Sequence, residues 1–599
     1  MAYGEGLRFF IMFNLNNKIM KRFFPFIFIL MIPLTTLAEA IESDGIFYTL
    51  NQNEQTAKVV KNPNKYKGDI VIPSTVNIEG IEYVVNYIGD IAFAECSELF
   101  SVSLPNSVTS IGDNAFYQCR ELRNVNLSNN VNYIGIGAFS SCSELTEITL
   151  PDSLLYLGDY ALWGCKKISS ISIPNKLTSL KEGVFCGCTN LSSIVIPNSI
   201  DSIAGWVFHS CTNLSSVTIG KKVSYINYDA FPQCNSLASI VIDPDNKTYD
   251  SRNNCTAIIE PTSHTILRGC VNTIIPDGIV AIGDNSFSYS SLKTLEIPNS
   301  VKYIGSFAFS NCDSLVSINI PDGITSINSY TFSSCHNLKS IVLPNSLISI
   351  NEYAFVNCES LKTVSLSDNL TTIGAWVFSG CTSLDSIILP NNLKTINECA
   401  FYDCASLTSI TIPVGVTCIN NNTFDGCTSL TNIRLPNTLT MIGDCSFCRC
   451  SSLQSISLPN SVSTIEGGAF WHCNSLRTIY IGIGIKKIGS MVFSYSTNPI
   501  DVYCYAKDVP DTYADAFQDR NLNNSTLYVP SVSIEKYSNA LPWKNFGVIH
   551  GIEDTGIKAI NLDYKESVYI VNGSLCKSKH KGINVIKMSN GKTKKIIIK

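Results

Sequence analysis

The sequence is poor in charge and in the residues that usually do chemistry. Asp, Glu, Lys and Arg make up 15% of the 599 residues, against roughly 25% in typical soluble domains. The net charge of -5 is spread thinly, which excludes the basic patch of a nucleic-acid-binding protein. The six histidines are scattered. We therefore predict no catalytic residue, metal site or cofactor, and a protein that is not an enzyme.

Long apolar runs are also scarce. After residue 40 no segment has the length and hydrophobicity to cross a bilayer. The one apolar run before it, Phe23–Leu37, follows Lys21-Arg22 and ends at Ala38-Glu39-Ala40, the pattern of a secretory signal peptide. The alternative, a membrane anchor, suits the run less because prolines interrupt it. We predict that residues 1–40 form a signal region, with a start at Met20, and that the protein is secreted or held at the bacterial cell surface.

The sequence is dominated by a motif that recurs about every 23 residues, as in Ser451–Cys473, SSLQSISLPNSVSTIEGGAFWHC. A fixed period in this range predicts a solenoid of leucine-rich-repeat length. Its register is counted on an aromatic residue that is replaced once, by Leu162, and that marks seventeen copies. The positions are Phe93, Phe116, Phe139, Leu162, Phe185, Phe208, Phe231, Phe287, Phe309, Phe332, Phe355, Phe378, Phe401, Phe424, Phe447, Phe470 and Phe493.

Each repeat predicts two short strands and a closing turn. In Ser409–Pro413, Ile410 and Ile412 point inward and Thr411 points outward, because side chains alternate along a strand. The Val/Leu-x-x-Ile-Gly segment is a second extended piece, and Ala-Phe-x-x-Cys is expected to form a helical turn. The fold class is therefore a mostly β repeat solenoid, of short parallel strands joined by turns and short helical segments.

Cysteine is plentiful, with 24 residues, and fifteen of them stand three positions after the repeat aromatic. Equivalent positions on stacked coils point the same way, so these cysteines predict a buried column of free thiols. The alternative is a disulfide framework, which the parallel directions disfavour. Ser290 and Ser496 take the same position in two copies, as a space-filling role allows.

The repeats also set the domain order. A gap of 56 residues separates Phe231 from Phe287, and the motif decays after Phe493. The predicted parts are an N-terminal cap with the first repeat at 41–92, repeats at 93–235, an insertion at 236–275, repeats at 276–500, a C-terminal cap at 501–549 and a basic β tail at 557–599.

Two short motifs have both a functional and a structural interpretation. Lys67-Gly68-Asp69 is an integrin-type tripeptide or, more simply, a turn before a strand. Asp243, Asp245 and Asp250 in the insertion are potential calcium ligands, but they lack the Gly and Glu of an EF-hand loop. A solvated β-turn insertion is the expected alternative.

The unit L-x-S-I-x-I-P-N-S-V-x-S-I-G-x-x-A-F-x-x-C resembles the BspA-like branch of leucine-rich repeat proteins over about residues 41–550. The resemblance implies an exported bacterial surface protein that binds host matrix proteins or other cells. The tail, with Lys581-Gly582-Ile583 and a basic end at Lys594–Lys599, looks like a sorting domain of the type IX secretion route. It departs from that pattern at Val571–Ser574, where Gly-Arg is usual.

The outward strand positions predict the binding face, because they form one column of small, β-branched, nearly uncharged side chains. A plain β surface without a ligand is the alternative. The most varied part supplies the binding-face candidates Val342, Ile388, Thr411, Arg434 and Tyr480.

Two functions remain open from the sequence. The first is adhesion to host or neighbouring-cell proteins through this sheet. The second is carbohydrate capture by stacking on exposed aromatics, for which Tyr480 and four tryptophans near the repeat aromatics are candidates: Trp163, Trp206, Trp376 and Trp471. An enzyme built on residues 242–270 is a third and weaker hypothesis.

Overall fold

The computed structural model describes residues 40–552 and four strand segments of the tail. The predicted signal region, apart from Ala40, lies outside the described residues. The chain forms a mostly β solenoid of about 20 turns with 3% helix, which confirms the predicted fold class.

The first strands of successive coils build what we call the front sheet. Neighbouring strands pair in parallel, as Ile194 does with Val217 and Val195 with Thr218, in runs that end after Ile148, Ile242, Ser365 and Arg434. The strands are Gly68–Val71, Leu99–Ser103, Asn124–Asn126, Glu147–Ile148, Ser193–Ile196, Ser216–Ile219, Ser239–Ile242, Ser340–Val342, Thr363–Ser365, Ser409–Thr411, Asn432–Arg434, Ser455–Leu458, Thr478–Ile481, Asp501–Cys504, Thr526–Pro530 and Val548–Ile552.

The second strands build the side sheet, which is also parallel and in register; Ile442 pairs with Ile465, for example. The strands are Ile81–Ile88, Ser110–Ile111, Tyr133–Ile134, Tyr156–Leu157, Ser179–Leu180, Ser202–Ile203, Tyr225–Ile226, Thr265–Arg268, Ala281–Ile282, Tyr303–Ile304, Ser326–Ile327, Ser349–Ile350, Thr372–Ile373, Thr395–Ile396, Cys418–Ile419, Met441–Ile442, Thr464–Ile465, Lys487–Ile488 and Asp511–Thr512.

The closing segment forms turns, so the expected helical turn is wrong. Residues 93–235 and 276–500 contain no helical residue. The Phe116 N–H donates across the coils to the Ala138 carbonyl at 2.7 Å, whereas a helix would direct it to the residue four positions earlier. Asn114 and Gln118 have φ of 52° and 57°. These left-handed residues turn alternate N–H groups toward the next coil and prevent a helix.

The repeat aromatics form a stacked column inside the solenoid. Phe355, Phe378 and Phe401 are fully buried, with ring centroids 5.6 and 5.5 Å apart in nearly parallel pairs. One coil spacing brings each ring over the next. Most of the core is therefore built from contacts between neighbouring coils.

The cysteine column consists of free thiols, as predicted. Each thiol from Cys119 onward donates to the carbonyl of the repeat aromatic in the preceding coil, as Cys381 does to Phe355 at 3.2 Å. The thiol thus fills space and also satisfies a buried acceptor, a second role that the sequence did not reveal. The Ser496 hydroxyl in the same position has no partner.

The insertion replaces one coil with a hairpin, Ile258–Glu260 and Thr265–Arg268, preceded by a 3-10 turn at Arg252–Asn254. Arg268 is buried here; it donates to the Asn285 carbonyl at 3.2 Å, and its Nε has no partner. The apolar core is split at this point: Ile258 belongs to the cluster on the N-terminal side and Ile266 to the one on the C-terminal side.

The caps close both ends of the core. The N-terminal cap contains a hairpin, Ile46–Asn51 paired with Thr56–Val59, next to Ile41–Ser43 and a second hairpin that Thr75–Ile78 makes with Ile81–Ile88. In the C-terminal cap, Arg520 takes the cysteine position of the last coil and its Nε donates to the Phe493 carbonyl at 2.7 Å. The remaining cap elements are a helix at Ile534–Ser538 and 3-10 turns at Leu522–Asn524, Ser531–Ser533 and Trp543–Asn545.

The tail contains a four-stranded antiparallel sheet, which agrees with the strands predicted there. Gly582–Lys587 pairs with Thr593–Ile598 and with Ser567–Tyr569. Leu575–Cys576 completes the sheet beside Ser567–Tyr569.

Candidate binding face

The five candidate residues lie on the outward side of the front sheet. Thr411 is paired with Arg434, and the bridge between Ser386 and Ser409 places Ile388 beside Thr411. Val342 and Ile388 are 68% and 64% exposed, so two large apolar side chains reach solvent here. The candidates therefore follow one column along the front sheet, in which the strand pairing is interrupted after Ser365 and Arg434.

The column continues into the C-terminal cap as a stack of aromatic rings that the sequence analysis missed. Tyr480 lies 4.8 Å from Tyr503, Tyr503 lies 4.2 Å from Tyr528, and Tyr528 lies 5.5 Å from His550, between ring centroids. We call these four residues the aromatic ladder. The period-2 alternation in Val502-Tyr503-Cys504 and Leu527-Tyr528-Val529 is the signal that would have extended the column.

The three tyrosines of the ladder are half-buried and His550 is exposed. Tyr503 and Tyr528 are stacked at an interplanar angle of 3°, so the faces of the inner rings are covered by their neighbours. Desolvation and the adjacent tyrosines raise the pKa of Tyr503 to about 12. The hydroxyl therefore stays protonated at neutral pH and acts as both donor and acceptor.

The tryptophans proposed for sugar stacking are half-buried and packed on neighbouring side chains. Trp376 lies between Tyr353 and Tyr402, at 6.0 and 5.5 Å from their ring centroids. Trp206 stacks on His209 at 5.5 Å. Trp206 and Trp376 thus have a packing role in the closing turns.

A cysteine–histidine contact does occur, but it is not that of an activated nucleophile. The Cys186 Sγ lies 3.5 Å from His209 Nδ1. Burial raises the pKa of Cys186 to about 12 and lowers the pKa of His209. Both groups are neutral at physiological pH, whereas a nucleophilic cysteine needs a thiolate.

The two short motifs have structural roles. Lys67 forms an ion pair with Glu98, and Asp69 accepts a hydrogen bond from Ser101, at the start of the first front strand. In the insertion, Asp243 caps the N–H of Asp245 at 2.9 Å, and Asp250 pairs with Arg252. Within the described residues, no three His, Cys, Asp or Glu side chains are grouped to hold a metal ion.

Comparison with known proteins identifies the repeat. The description "BspA type Leucine rich repeat region" matches residues 74–191, 156–259, 268–385, 376–500 and 417–539. No curated protein matches the chain. In the described part of the chain, no helix has the length and apolar character of a membrane span.

The solved structures that are similar to this chain include three bacterial proteins. A leucine rich cell surface protein from Faecalibacterium prausnitzii is 28% identical, with 66% of this chain and 94% of that one covered, at a TM-score of 0.48. A leucine-rich repeat protein from Bacteroides ovatus is 22% identical over 86% and 99%, with a TM-score of 0.34. The pneumococcal vaccine antigen PcpA is 17% identical over 86% and 100%, with a TM-score of 0.31. The repeat match covers well over half of the sequence, and the chain belongs to the BspA type leucine rich repeat family.

Proposed function

We propose that this protein is an exported cell-surface module that binds proteins of a host or of neighbouring cells on its front sheet. Repeats of this family form protein-interaction modules and are typically non-enzymatic scaffolds. The signal-peptide pattern in residues 1–40 supports export. The observation that carries the proposal is the exposed column from Val342 to the aromatic ladder.

The composition of this column is that of a protein-binding centre. Cores of protein interfaces are depleted in charge and enriched in Tyr and other aromatic residues. Around Ile388 the exposed strand residues are apolar or hydroxylic, and the ladder adds three tyrosines in one row. The ladder is the expected hot spot, since Tyr is among the residues that dominate binding energy.

The ring orientation favours a protein partner over a glycan. A sugar that stacks on an aromatic ring needs a free ring face, and the faces inside the ladder are occupied by the next ring. Within residues 40–552 no aromatic ring stacks on the face of Tyr480 toward Ser457, so the carbohydrate alternative retains support at this end of the ladder.

Capture by the purified full chain tests the proposal, with immobilised fibronectin, fibrinogen and mucin and a glycan array as probes. Ile388→Asp and Thr411→Asp place charge in the exposed column, and Tyr503→Ala removes the middle of the ladder. Each should weaken protein capture by at least about 30-fold, as expected for a hot spot of about 2 kcal/mol.

Val195→Asp is the matched control, because Val195 is equally exposed on the front sheet of the first repeat block. It should leave capture unchanged. Glycan capture that is lost in Tyr480→Ala but not in Tyr503→Ala would favour the carbohydrate alternative. Binding to none of the probes, or equal loss in the control, would refute the assignment of the face.

A further inference from the structure

Two cysteines outside the buried column lie together in one closing turn. The N–H of Cys448 donates to the carbonyl of Cys445 at 3.1 Å, which closes a β-turn from Cys445 to Cys448. The first and last Cα atoms of such a turn are less than about 7 Å apart. Disulfides span Cα separations of about 4.4–6.8 Å, so this turn holds its two cysteines at bonding range.

Cys445 also differs from the other cysteines in its access to solvent. Among the 23 cysteines of residues 40–552, only Cys418 and Cys445 are partly exposed, and the others are buried. Cys418 lies on the side sheet opposite Met441, and its thiol contacts Asn420. Cys445 thus combines solvent access with a neighbouring thiol in its own turn.

The surroundings assign different roles to the two sulfurs. A hydrogen bond from the Cys448 thiol lowers the pKa of Cys445, while the same bond and burial raise the pKa of Cys448. Burial and the Asp425 and Asp444 carboxylates oppose this lowering of the Cys445 pKa, and the Arg449 guanidinium, held by Asp425 at 2.8 Å and Asp403 at 3.1 Å, adds to it. Cys445 is the thiolate that attacks, and Cys448 keeps its proton until the second step.

We propose that Cys445 and Cys448 form a redox-active dithiol that is converted to an intramolecular disulfide by exchange with a low-molecular-weight disulfide, RSSR. The Cys445 thiolate attacks one sulfur of RSSR, which breaks the S–S bond and releases RS⁻. Cys448 then loses its proton and attacks Cys445 Sγ, which releases the second RS⁻. Both leaving thiolates take up a proton, so two protein thiols are oxidised and one RSSR is reduced to two RSH.

The coil can tolerate both states because its neighbours hold the turn. The Cys445 N–H donates to the Gly467 carbonyl at 2.9 Å and the Phe447 N–H to the Ala469 carbonyl at 2.8 Å. These bonds join backbone groups of adjacent coils and do not involve either sulfur. Oxidation therefore changes the surface of one turn without unstacking the array.

Cysteine mapping by mass spectrometry tests the proposal. The folded, reduced full chain is treated with N-ethylmaleimide for short times, and Cys445 should react at least about tenfold faster than any column cysteine, as partial exposure and thiolate character require. With oxidised glutathione instead, the peptide that spans both residues should lose two hydrogen atoms and resist later alkylation.

Two variants and a control separate the steps. Cys448→Ser should trap glutathione as a mixed disulfide on Cys445, and Cys445→Ser should take up none. Cys418→Ser should behave as the unaltered chain, and circular dichroism confirms that each variant is folded. The proposal is overturned if Cys445 reacts no faster than the column cysteines, or if glutathione remains on Cys445 of the unaltered chain without an internal disulfide.

Discussion

Truncation of one aromatic in the stacked column should destabilise one block of the solenoid and leave the other intact. Phe378 is fully buried, and its ring is stacked on Phe355 and Phe401. A buried Phe→Ala change costs about 3–5 kcal/mol, and each lost stacking pair adds about 0.5–1.5 kcal/mol. With two stacking pairs lost, we expect Phe378→Ala to lower the free energy of unfolding of its block by about 4–8 kcal/mol.

The division of the apolar core at the insertion determines how far the destabilisation caused by Phe378→Ala extends along the solenoid. The buried apolar clusters meet at the insertion, where Arg268 is buried between Cys234 on one side and Cys312 on the other. Coupling between coils runs through shared apolar contacts. Hydrogen–deuterium exchange should therefore rise around residues 355–401 and fade toward the insertion, with residues 93–235 unchanged.

Two matched variants check the magnitude. Phe378→Leu should cost far less than Phe378→Ala, because the chain already places a fully buried Leu162 in the same position of another coil. Tyr303→Ala removes a ring that is 49% exposed on the side sheet and should cost under about 1 kcal/mol. Equal costs for Phe378→Ala and Tyr303→Ala in urea denaturation, or faster exchange throughout residues 93–235, would refute the reasoning.

Three further predictions concern the buried polar groups. Burial raises the pKa of Cys358 from 9.0 to about 12. Between these two values the thiol ionises in the unfolded chain but stays protonated in the folded chain. For each such thiol, the free energy of unfolding should therefore fall by about 1.4 kcal/mol per pH unit above pH 9. Under reducing conditions, the urea midpoint should decrease less between pH 8 and pH 10 for Cys358→Ala than for the unaltered chain. Arg268→Met should cost less than about 3 kcal/mol, because Arg268 donates to a single backbone carbonyl, that of Asn285. In contrast, Arg520→Met should cost about 3–5 kcal/mol, since Arg520 donates to the Phe493 and Leu476 carbonyls; thermal unfolding compares the two. Ser496→Cys should add about 0.5–1 kcal/mol to the free energy of unfolding by completing the thiol column, and an unchanged urea midpoint would contradict the role assigned to the thiols.

The sequence by itself determined the solenoid, its strands and its interior. A residue type that recurs every 23 residues stacks on the equivalent residue of the next coil. The inward positions of Ile410 and Phe401 therefore follow from their places in the repeat. The same argument predicted the free cysteines and the outward direction of Thr411. These features depend on periodicity alone, and the structure reproduces them.

Only the tertiary structure decided what happens where copies differ or where two coils meet. The sequence of the closing segment alone predicts a helical turn. In the structure its N–H groups donate to carbonyls of the next coil, so no helix forms. The aromatic ladder joins Tyr480 to Tyr528 and His550, which are separated by more than a repeat and fall partly in the decayed cap. The pair at Cys445 and Cys448 stands out only when the burial of every other cysteine of residues 40–552 is compared. Contacts between coils, and the solvent they exclude, are properties of the stack that no single copy of the repeat contains.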